Sequence, residues 1–204
     1  MPEFMTSLPL LGLTAVAAYL LGSVPFGIVF ARIFGLGDLR QIGSGNIGAT
    51  NVLRTGNKPA AFLTLIMDAG KGGIAVLIAR ALLADDAAQI AGLFAFLGHL
   101  FPVYLKFKGG KGVATFLGTV LALSFPLGLA ACAAWALTAA IFRYSSLAAL
   151  VASAATPVIS LFTGDSSAFI LTIILAQLIF LRHRPNIKRL LDRQEPKIGK
   201  TPKA

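Results

Sequence analysis

The sequence predicts an all-α protein that crosses a membrane about seven times, with its N-terminus outside and its C-terminus in the cytoplasm. Hydrophobic residues make up 56% of the chain and charged residues only 13%, and the mean hydropathy is +0.81. These values are far from those of soluble domains. The apolar residues form long runs, and 16 of the 18 Lys and Arg residues, all but Lys71 and Arg80, lie in short stretches between or after those runs.

The predicted helices follow from the lengths of the apolar runs, because an α-helix needs roughly 20 residues to cross a bilayer. The stretch 113–142 is interpreted as two short helices, because Pro126 interrupts it and both of its flanks are basic. The predicted spans are therefore about 8–31, 59–79, 87–105, 113–124, 126–142, 147–163 and 167–181.

The distribution of positive charge predicts which loops are cytoplasmic. Lys and Arg favour the cytoplasmic side of a membrane protein. The loops on the opposite side carry Asp85, Asp86 and Asp165. The segments predicted to be cytoplasmic are 32–58, 106–111, Arg143 and 182–203.

The chain is predicted to contain one transmembrane domain, residues 1–183, followed by a basic cytoplasmic tail, residues 184–204. The tail is basic and rich in proline, so it is expected to lie on the membrane surface or to be disordered. The first apolar run has no positively charged region before it, unlike a cleaved signal peptide, so the first span is expected to remain in the mature protein.

The charge and the ligand-forming residues limit the partners of this chain. Its net charge is +10, but the charges flank membrane-length segments, so anionic lipids and anionic substrates are expected rather than nucleic acid. Cys132 is the only cysteine, which excludes a disulfide framework and a thiolate metal site. With two histidines and few carboxylates, neither a metal nor a cofactor is expected.

The string GSGNIGATN at 43–51 is a candidate phosphate site. Its glycines allow backbone N–H groups to converge on an anion. Hydroxyl, amide and guanidinium donors at Ser44, Asn46 and Arg54 suit phosphate, and Gly45 lies between the first two. A dinucleotide site is not indicated, because no strand precedes the glycines. The alternative interpretation is a flexible loop between two helices.

A second glycine-rich string, FKGGKG at 107–112, is predicted to form a cationic turn. Gly110 allows a ligand to approach the backbone closely, and Lys108 and Lys111 supply point charges for a phosphoryl or carboxylate group. The string lacks the spacing and the Ser or Thr of a nucleotide-binding P-loop. Lysines beside a span also serve as simple interface anchors, and that alternative stays open.

Three further polar features have both a functional and a structural interpretation. His183, with Asn186 close by, lies at the end of the last span and is either a base, donor or orienting group or a bystander. Asp68 and Lys71 lie one helical turn apart inside an apolar run. We interpret them as a mutually neutralising pair, although intramembrane charges are also candidates for function.

Five strings of this chain together resemble the bacterial acyl-phosphate:glycerol-3-phosphate acyltransferase family, and the resemblance covers nearly the whole chain. The long central strings are specific. The strings are GSGNIGATN with Arg54, DAGKG at 68–72, GHLFPVYLKFKGGKGVAT at 98–115, RYSSL at 143–147 and RHRPNIKRL at 182–190.

The resemblance implies a reaction and a location. A fatty acyl group is transferred from acyl phosphate to the 1-hydroxyl of glycerol 3-phosphate, giving lysophosphatidic acid and phosphate in the first step of phospholipid synthesis. The enzyme is expected in the bacterial inner membrane, among membrane lipids, with its active site facing the cytoplasm.

The resemblance also implies the site residues. The expected catalytic residues are Ser44, Asn46, Lys111, His183 and Asn186. The expected substrate-binding residues are Gly45, Arg54, Lys108, Gly110 and Ser146. The tail departs from the family pattern, because Arg193 stands where a glycine usually precedes the glutamate, so a role for Glu195 is doubtful.

The reaction needs positioning and charge stabilisation more than a strong base, because acyl phosphate is already activated. Either His183 or a substrate phosphate oxygen can accept the hydroxyl proton. The alternatives to an enzyme are an anion transporter or channel, which would place its site near the bilayer midplane, and a lipid-binding scaffold. The enzyme interpretation requires Ser44, Lys111 and His183 to meet in one pocket.

Overall fold

The computed structural model describes residues 5–164 and 166–199, and every regular element in these ranges is helical. The predicted all-helical class is therefore confirmed for this part of the chain. The first two helices are α1, Leu8–Ser23, and α2, Phe26–Ile33. They are interrupted at Pro25, which has no N–H to donate, and together they form one apolar segment.

The remaining helices run back and forth along one bundle. Three-residue 3₁₀ turns lie at Leu39–Gln41, Val103–Leu105 and Ser166–Ala168. The helices are α3 Ala49–Leu53, α4 Lys58–Leu82, α5 Asp85–Leu100, α6 Val113–Leu123, α7 Phe125–Phe142, α8 Ser145–Phe162, α9 Phe169–Arg182 and α10 Arg184–Leu191.

Several of these helices are long and apolar enough to cross a bilayer. Their outward faces carry large apolar side chains, and Leu77 and Ile141, for example, are more than half exposed. Helices α6 and α9 are apolar but shorter. Asp165, predicted in an external loop, lies outside the described residues. Within the described ranges the five candidate spans are Leu8–Ile33, Lys58–Leu82, Asp85–Leu105, Phe125–Phe142 and Ser145–Phe162.

The stretch 113–142 forms two helices, as its proline predicts. The break falls at Ser124, whose hydroxyl caps α7 by accepting a hydrogen bond from the N–H of Leu127. Pro126 lies in the first turn of α7, where its missing N–H costs no helical hydrogen bond. The chain therefore turns back on itself at this point, and α6 and α7 pack as an antiparallel pair.

Small residues bring the helices close together. A Cβ atom on Gly98 would lie 2.2 Å from the carbonyl oxygen of Tyr19, so α1 and α5 can cross this closely only with glycine at this position. Larger side chains of α5, α6, α7 and α9 fill the core on the other side of the bundle. This core contains Phe96, Leu100, Phe116, Val120, Leu127, Leu175 and Ile179.

One end of the bundle, which we call the basic end, holds most of the cationic segments. Helix α6 has 11 residues and α7 has 18. Because both start from the turn at Ser124, α6 stops about seven residues, or roughly 10 Å, short of the end of α7. The space left between the end of α6 and the end of α7 is part of a cavity. The basic end comprises residues 32–58, 101–112, 143–146 and 182–199, and each of these segments contributes residues to the lining.

Of the two expectations for the tail, disorder is wrong for residues 184–199, and a position on the membrane surface stays a prediction. Residues 184–191 form α10, which directly follows α9. The N–H of Ile198 donates to the carbonyl oxygen of Arg143 at 2.7 Å. Glu195 is only 9% exposed. The tail closes over the basic end because the buried Glu195 finds several hydrogen-bond donors there.

Candidate active site

A cavity of about 410 Å³ opens at the basic end, and segments far apart in the sequence line it. Its lining is mostly polar where the segments at the end of the bundle contribute and mostly apolar along α4, α6 and α7, and we call these two parts the polar wall and the apolar wall. The apolar wall is formed by Ala61, Phe62, Leu65, Val113, Ala114, Leu117 and Trp135. The polar wall includes Ser44, Asn46, Asn51, Arg54, Lys111, Ser146, His183, Asn186 and Glu195.

The glycine-rich segment 43–51 is organised by Asn51. The Oδ1 atom of this buried side chain accepts hydrogen bonds from the N–H of Ser44 at 3.0 Å and from Nη1 of Arg54 at 3.3 Å. Its Nδ2 donates to the carbonyl oxygen of Leu39. Gly45 has a φ of +68°, which favours glycine, so the segment turns sharply and brings Ser44 to the cavity.

The loop before Lys111 is held from two sides. The N–H of Gly110 donates to the carbonyl oxygen of His99 at 3.0 Å. From the other side, Arg182 donates to the carbonyl oxygens of Gly110 at 3.1 Å and Gly109 at 2.8 Å. Gly110 also packs on the His99 ring, because a Cβ atom there would lie 2.1 Å from Nε2. These contacts set the position of Lys111.

A hydrogen-bond network connects Lys111 to the tail. Nζ of Lys111 donates to Oδ1 of Asn186 at 2.5 Å, and Nδ2 of Asn186 donates to Oε1 of Glu195 at 2.6 Å. The hydroxyl of Ser146 donates to the same carboxylate oxygen at 2.7 Å. Arg189 pairs with the other oxygen, also at 2.7 Å. Glu195 therefore orients the amide of Asn186, which in turn orients the ammonium group of Lys111.

The charges of this network follow from its burial. Burial lowers the pKa of Lys111 to about 8, with the nearby cations of Arg189 and Arg54 also lowering it and Glu195 opposing them. Burial by itself would raise the pKa of Glu195, but hydrogen bonds from Ser146, Asn186 and Arg189 outweigh it and hold this pKa below its ordinary value. Lys111 is thus cationic, and Glu195 anionic, at neutral pH.

His183 is neutral and has a defined tautomer. Its Nδ1 lies 2.8 Å from the carbonyl oxygen of Ile179, which can only accept, so Nδ1 carries the proton and Nε2 carries the lone pair. Burial, with the charge of Lys111, lowers the pKa of His183 to about 4. At neutral pH this side chain offers the cavity a hydrogen-bond acceptor rather than a cation.

Asp68 and His99 line the cavity floor. Nζ of Lys71 lies 2.8 Å from Oδ1 of Asp68 and donates to the carbonyl oxygen of Val24 at 2.9 Å. Nδ1 of His99 is 3.6 Å from the same Asp68 oxygen. The geometry is that of the neutralising pair inferred from the sequence, with His99 as a third member. In the described ranges, no three His, Cys, Asp or Glu side chains come together as a metal site would require.

The structure brings seven of the ten predicted site residues to the cavity wall. Gly45 and Gly110 are not in the wall but shape the two loops, and Lys108 is exposed. Asn51 and Glu195 are cavity residues that the predicted set omits. The density of polar residues around Asn51 could have indicated that it belongs to the site. The contacts of Glu195 could not be predicted in this way, because they depend on how the tail folds back. The seven are Ser44, Asn46, Arg54, Lys111, Ser146, His183 and Asn186.

Cations and neutral donors on one wall and apolar side chains on the other suit a ligand with a phosphate group and an apolar chain. The sequence profile of a family described as glycerol-3-phosphate acyltransferase matches residues 12–193. A glycerol-3-phosphate acyltransferase from Jannaschia sp. (strain CCS1) is 71% identical over 200 residues, which are 98% of each chain. Another, from Dinoroseobacter shibae, is 63% identical over 199 residues, again 98% of each chain.

Two solved structures share this fold. Both are crystal structures of PlsY (YgiH), described as an integral membrane glycerol 3-phosphate acyltransferase. The glycerol 3-phosphate form has a TM-score of 0.88 and 40% identity, covering 93% of this chain and 96% of that one. The lysophosphatidic acid form has a TM-score of 0.84 and 37% identity, covering 93% and 95%. Similarity to these proteins therefore extends over almost the entire bundle.

Proposed function

We propose the donor, the site and the mechanism of this chain, which belongs to the glycerol-3-phosphate acyltransferase family. It is a membrane enzyme that acylates glycerol 3-phosphate in phospholipid synthesis. The proposed donor is acyl phosphate, and the proposed products are 1-acyl lysophosphatidic acid and inorganic phosphate. The family membership confirms the resemblance that the sequence strings predict. The reaction takes place in the cavity at the basic end.

The observation that carries this proposal is the composition of the two cavity walls. Three sequence-distant segments supply cations and donors to one wall, among them Arg54, Lys111 and Asn186. Phe62, Leu65 and Leu117 form part of the opposite wall, and Phe62 is 62% exposed on the outside of the bundle. A phosphorylated head fits the first wall, while an acyl chain fits the second and continues into the bilayer.

In the proposed reaction, the 1-hydroxyl oxygen of glycerol 3-phosphate attacks the acyl carbon. A carbon–oxygen bond to glycerol forms, and the bond between the acyl carbon and the phosphate oxygen breaks. Lys111 and Arg54 neutralise the charge on the two phosphate groups and hold them close together, so the main contribution of the enzyme is positioning and electrostatic stabilisation. Ser44 and Asn46 add neutral donors at the same wall.

The hydroxyl proton is accepted, in this proposal, by a substrate phosphate oxygen. The second pKa of a phosphate monoester is about 6, whereas the pKa of His183 is about 4, so the phosphate is the stronger base. His183 instead orients glycerol 3-phosphate by accepting a hydrogen bond from its 2-hydroxyl at Nε2, which leaves the proton of the 1-hydroxyl to the phosphate oxygen. Its fixed tautomer suits this role, because Nδ1 is already bound to a carbonyl oxygen.

We also propose the membrane topology. The chain crosses the bacterial inner membrane seven times, with α1 and α2 counted as one span and the shorter α6 and α9 as two of the others. The basic end faces the cytoplasm, as the positive-inside rule favours. Single cysteines at Lys108 and Asp85 in a Cys132→Ala background test this. An impermeant thiol reagent added to intact cells should label the position 85 cysteine and not the position 108 cysteine.

The reaction is tested with purified protein, acyl phosphate and labelled glycerol 3-phosphate. Lysophosphatidic acid is the expected product, and anion uptake into liposomes should be absent. Lys111→Ala and Ser44→Ala should lose most activity while eluting as folded protein in detergent. Lys108→Ala is the matched control, because this lysine is exposed three residues away and should retain activity. Normal turnover in Lys111→Ala would remove that residue from the site.

A further inference from the structure

The indole N–H of Trp135 is an unsatisfied donor in the cavity wall. Its Nε1 atom is buried and has no hydrogen-bond partner within residues 5–164 and 166–199, and the side chain lines the cavity. A buried tryptophan N–H usually finds an acceptor. Leaving one without an acceptor destabilises the fold, so such a group calls for an explanation. One explanation is that its acceptor is a ligand oxygen, which arrives only with the substrate.

The helix register places Trp135 level with the cationic loop. Val113 begins α6 and lies 11 residues before Ser124, and Trp135 lies 11 residues after it. The two helices pack tightly beyond this turn, because a Cβ atom on Gly128 would lie 2.3 Å from Cα of Leu121. At 1.5 Å per residue, both Cα atoms are roughly 16 Å from the turn. Trp135 is therefore at the depth of Lys111 and not deep among the chain-binding residues.

The residues around Trp135 indicate which kind of oxygen its indole N–H would bind. Phosphate oxygens are held at the polar wall by Lys111 and Arg54, whereas Trp135 belongs to the apolar wall with Leu65 and Leu117. A single neutral N–H donor on the apolar wall, at the depth of Lys111, suits a neutral acceptor attached to an apolar chain. In acyl phosphate, the carbonyl oxygen is the acceptor between the phosphate and the hydrocarbon chain.

The other buried atoms without hydrogen bonds do not compete for this role. Oδ1 of Asp68 is an acceptor that is already paired with Nζ of Lys71 at 2.8 Å, and Nδ1 of His99 faces the same oxygen at 3.6 Å. The hydroxyl oxygen of Thr119 is also without a hydrogen-bond partner within the described ranges, but Thr119 does not line the cavity. Among the described residues, Trp135 is thus the unsatisfied buried donor whose side chain lines the cavity.

We propose that the indole N–H of Trp135 hydrogen-bonds the acyl carbonyl oxygen and stabilises the negative charge that develops on it during attack. The inference rests on the proposed function. As the glycerol oxygen bonds to the acyl carbon, the carbonyl π electrons move onto this oxygen, and they return when the phosphate leaves. Trp135 stabilises the charge at that stage. Trp135 is then a catalytic residue that takes part in no proton transfer.

The test removes the N–H without changing the shape of the side chain. Because the chain has one tryptophan, growth of a tryptophan auxotroph on β-(3-benzothienyl)alanine replaces this N–H alone by sulfur. Turnover should fall about 100-fold, as it does when an oxyanion donor is lost, with the KM for glycerol 3-phosphate unchanged. Trp135→Phe should give a similar loss, and its elution and melting profile report whether it folds.

Two inhibitors separate carbonyl recognition from packing. One is a β-ketophosphonate, which keeps the carbonyl, and the other is the alkyl phosphonate of equal chain length. The substituted protein should bind the ketophosphonate about tenfold more weakly, as expected for one neutral hydrogen bond, and the alkyl phosphonate equally well. In protein labelled with nitrogen-15 tryptophan, only the ketophosphonate should move the single indole N–H resonance downfield.

Two outcomes would overturn the proposal. Equal weakening of both inhibitors would reduce Trp135 to a packing residue, and unchanged turnover of the benzothienyl protein would exclude it from catalysis. A failure of the proposed function is distinguishable, because unmodified protein would then make no lysophosphatidic acid from acyl phosphate, whatever the inhibitor affinities show.

Discussion

Lys111 donates a hydrogen bond of 2.5 Å from its Nζ to Oδ1 of Asn186, a residue 75 positions later in the chain. This contact joins the glycine-rich loop before α6 to the helix that follows the last apolar segment. The ammonium group would otherwise have the freedom of a flexible four-carbon side chain. Asn186 is held in its turn by Glu195. The position of the buried cation therefore depends on residues from the C-terminal part of the chain.

Replacement of Asn186 by alanine should lower kcat/KM by about 10- to 100-fold. The lost bond is charge-assisted, and such bonds contribute about 1.5–3 kcal/mol, or roughly one to two powers of ten in rate. Steady-state kinetics with glycerol 3-phosphate as the varied substrate measure the effect. Gln194→Ala is the matched control, because that side chain is exposed at the same end of the bundle. Equal kinetics for the two variants would contradict the prediction.

The alkaline limb of the pH profile should report Lys111. Its pKa of about 8 means that the cation is present below this pH and is lost as the pH rises through it. Because kcat/KM follows the free enzyme, it should fall about tenfold per pH unit above pH 8. The alkaline fall of kcat should occur at a higher pH, since a bound phosphate stabilises the charged form of Lys111.

The Lys111→Arg variant provides the check on that assignment. Arginine stays charged to beyond pH 12, so the alkaline limb of kcat/KM should disappear even if the overall rate is reduced. The measurement is a pH series from about 6 to 10 on both proteins. A limb that stays near pH 8 in the arginine variant would belong to another group.

Gly110→Ala should disturb the site through its packing against His99. The added Cβ would lie 2.1 Å from Nε2 of the buried imidazole, so the loop or the ring must move. Overpacking of this kind costs about 1–3 kcal/mol, and we expect a lower melting temperature in detergent together with a large loss of turnover. Gly12→Ala is the control, because a Cβ there meets no atom within 4 Å.

Glu195→Gln should change how stability depends on pH. The pKa of Glu195 is held below its ordinary value in the folded protein, so the carboxylate stabilises the fold above the ordinary glutamate pKa of about 4.3. That contribution is lost as the pH falls below this value. The unsubstituted protein should therefore lose more of its melting temperature between pH 5 and about pH 3 than Glu195→Gln. Parallel melting curves would show that Glu195 contributes no such stabilisation.

Much of the fold follows from local properties of the chain. The apolar runs account for the helices, and Pro126 accounts for the break between α6 and α7, because proline favours the first turn of a helix and cannot continue the hydrogen bonds of a preceding one. The polar strings identified most of the cavity residues, since such residues are rare in an apolar chain. Lys108 shows the limit of this reasoning: it lies in the same string as Lys111, yet it is exposed and stands outside the cavity.

Hydropathy, charge and motif patterns were enough to establish the helical class, the family and the residues from which a phosphate site would be built. Folding decided which of those residues meet, because a side chain's neighbours depend on helix register and packing rather than on its place in a motif. The burial of Glu195 requires the tail to close over the basic end. The position of Trp135 beside the cavity requires α7 to turn back along the short α6.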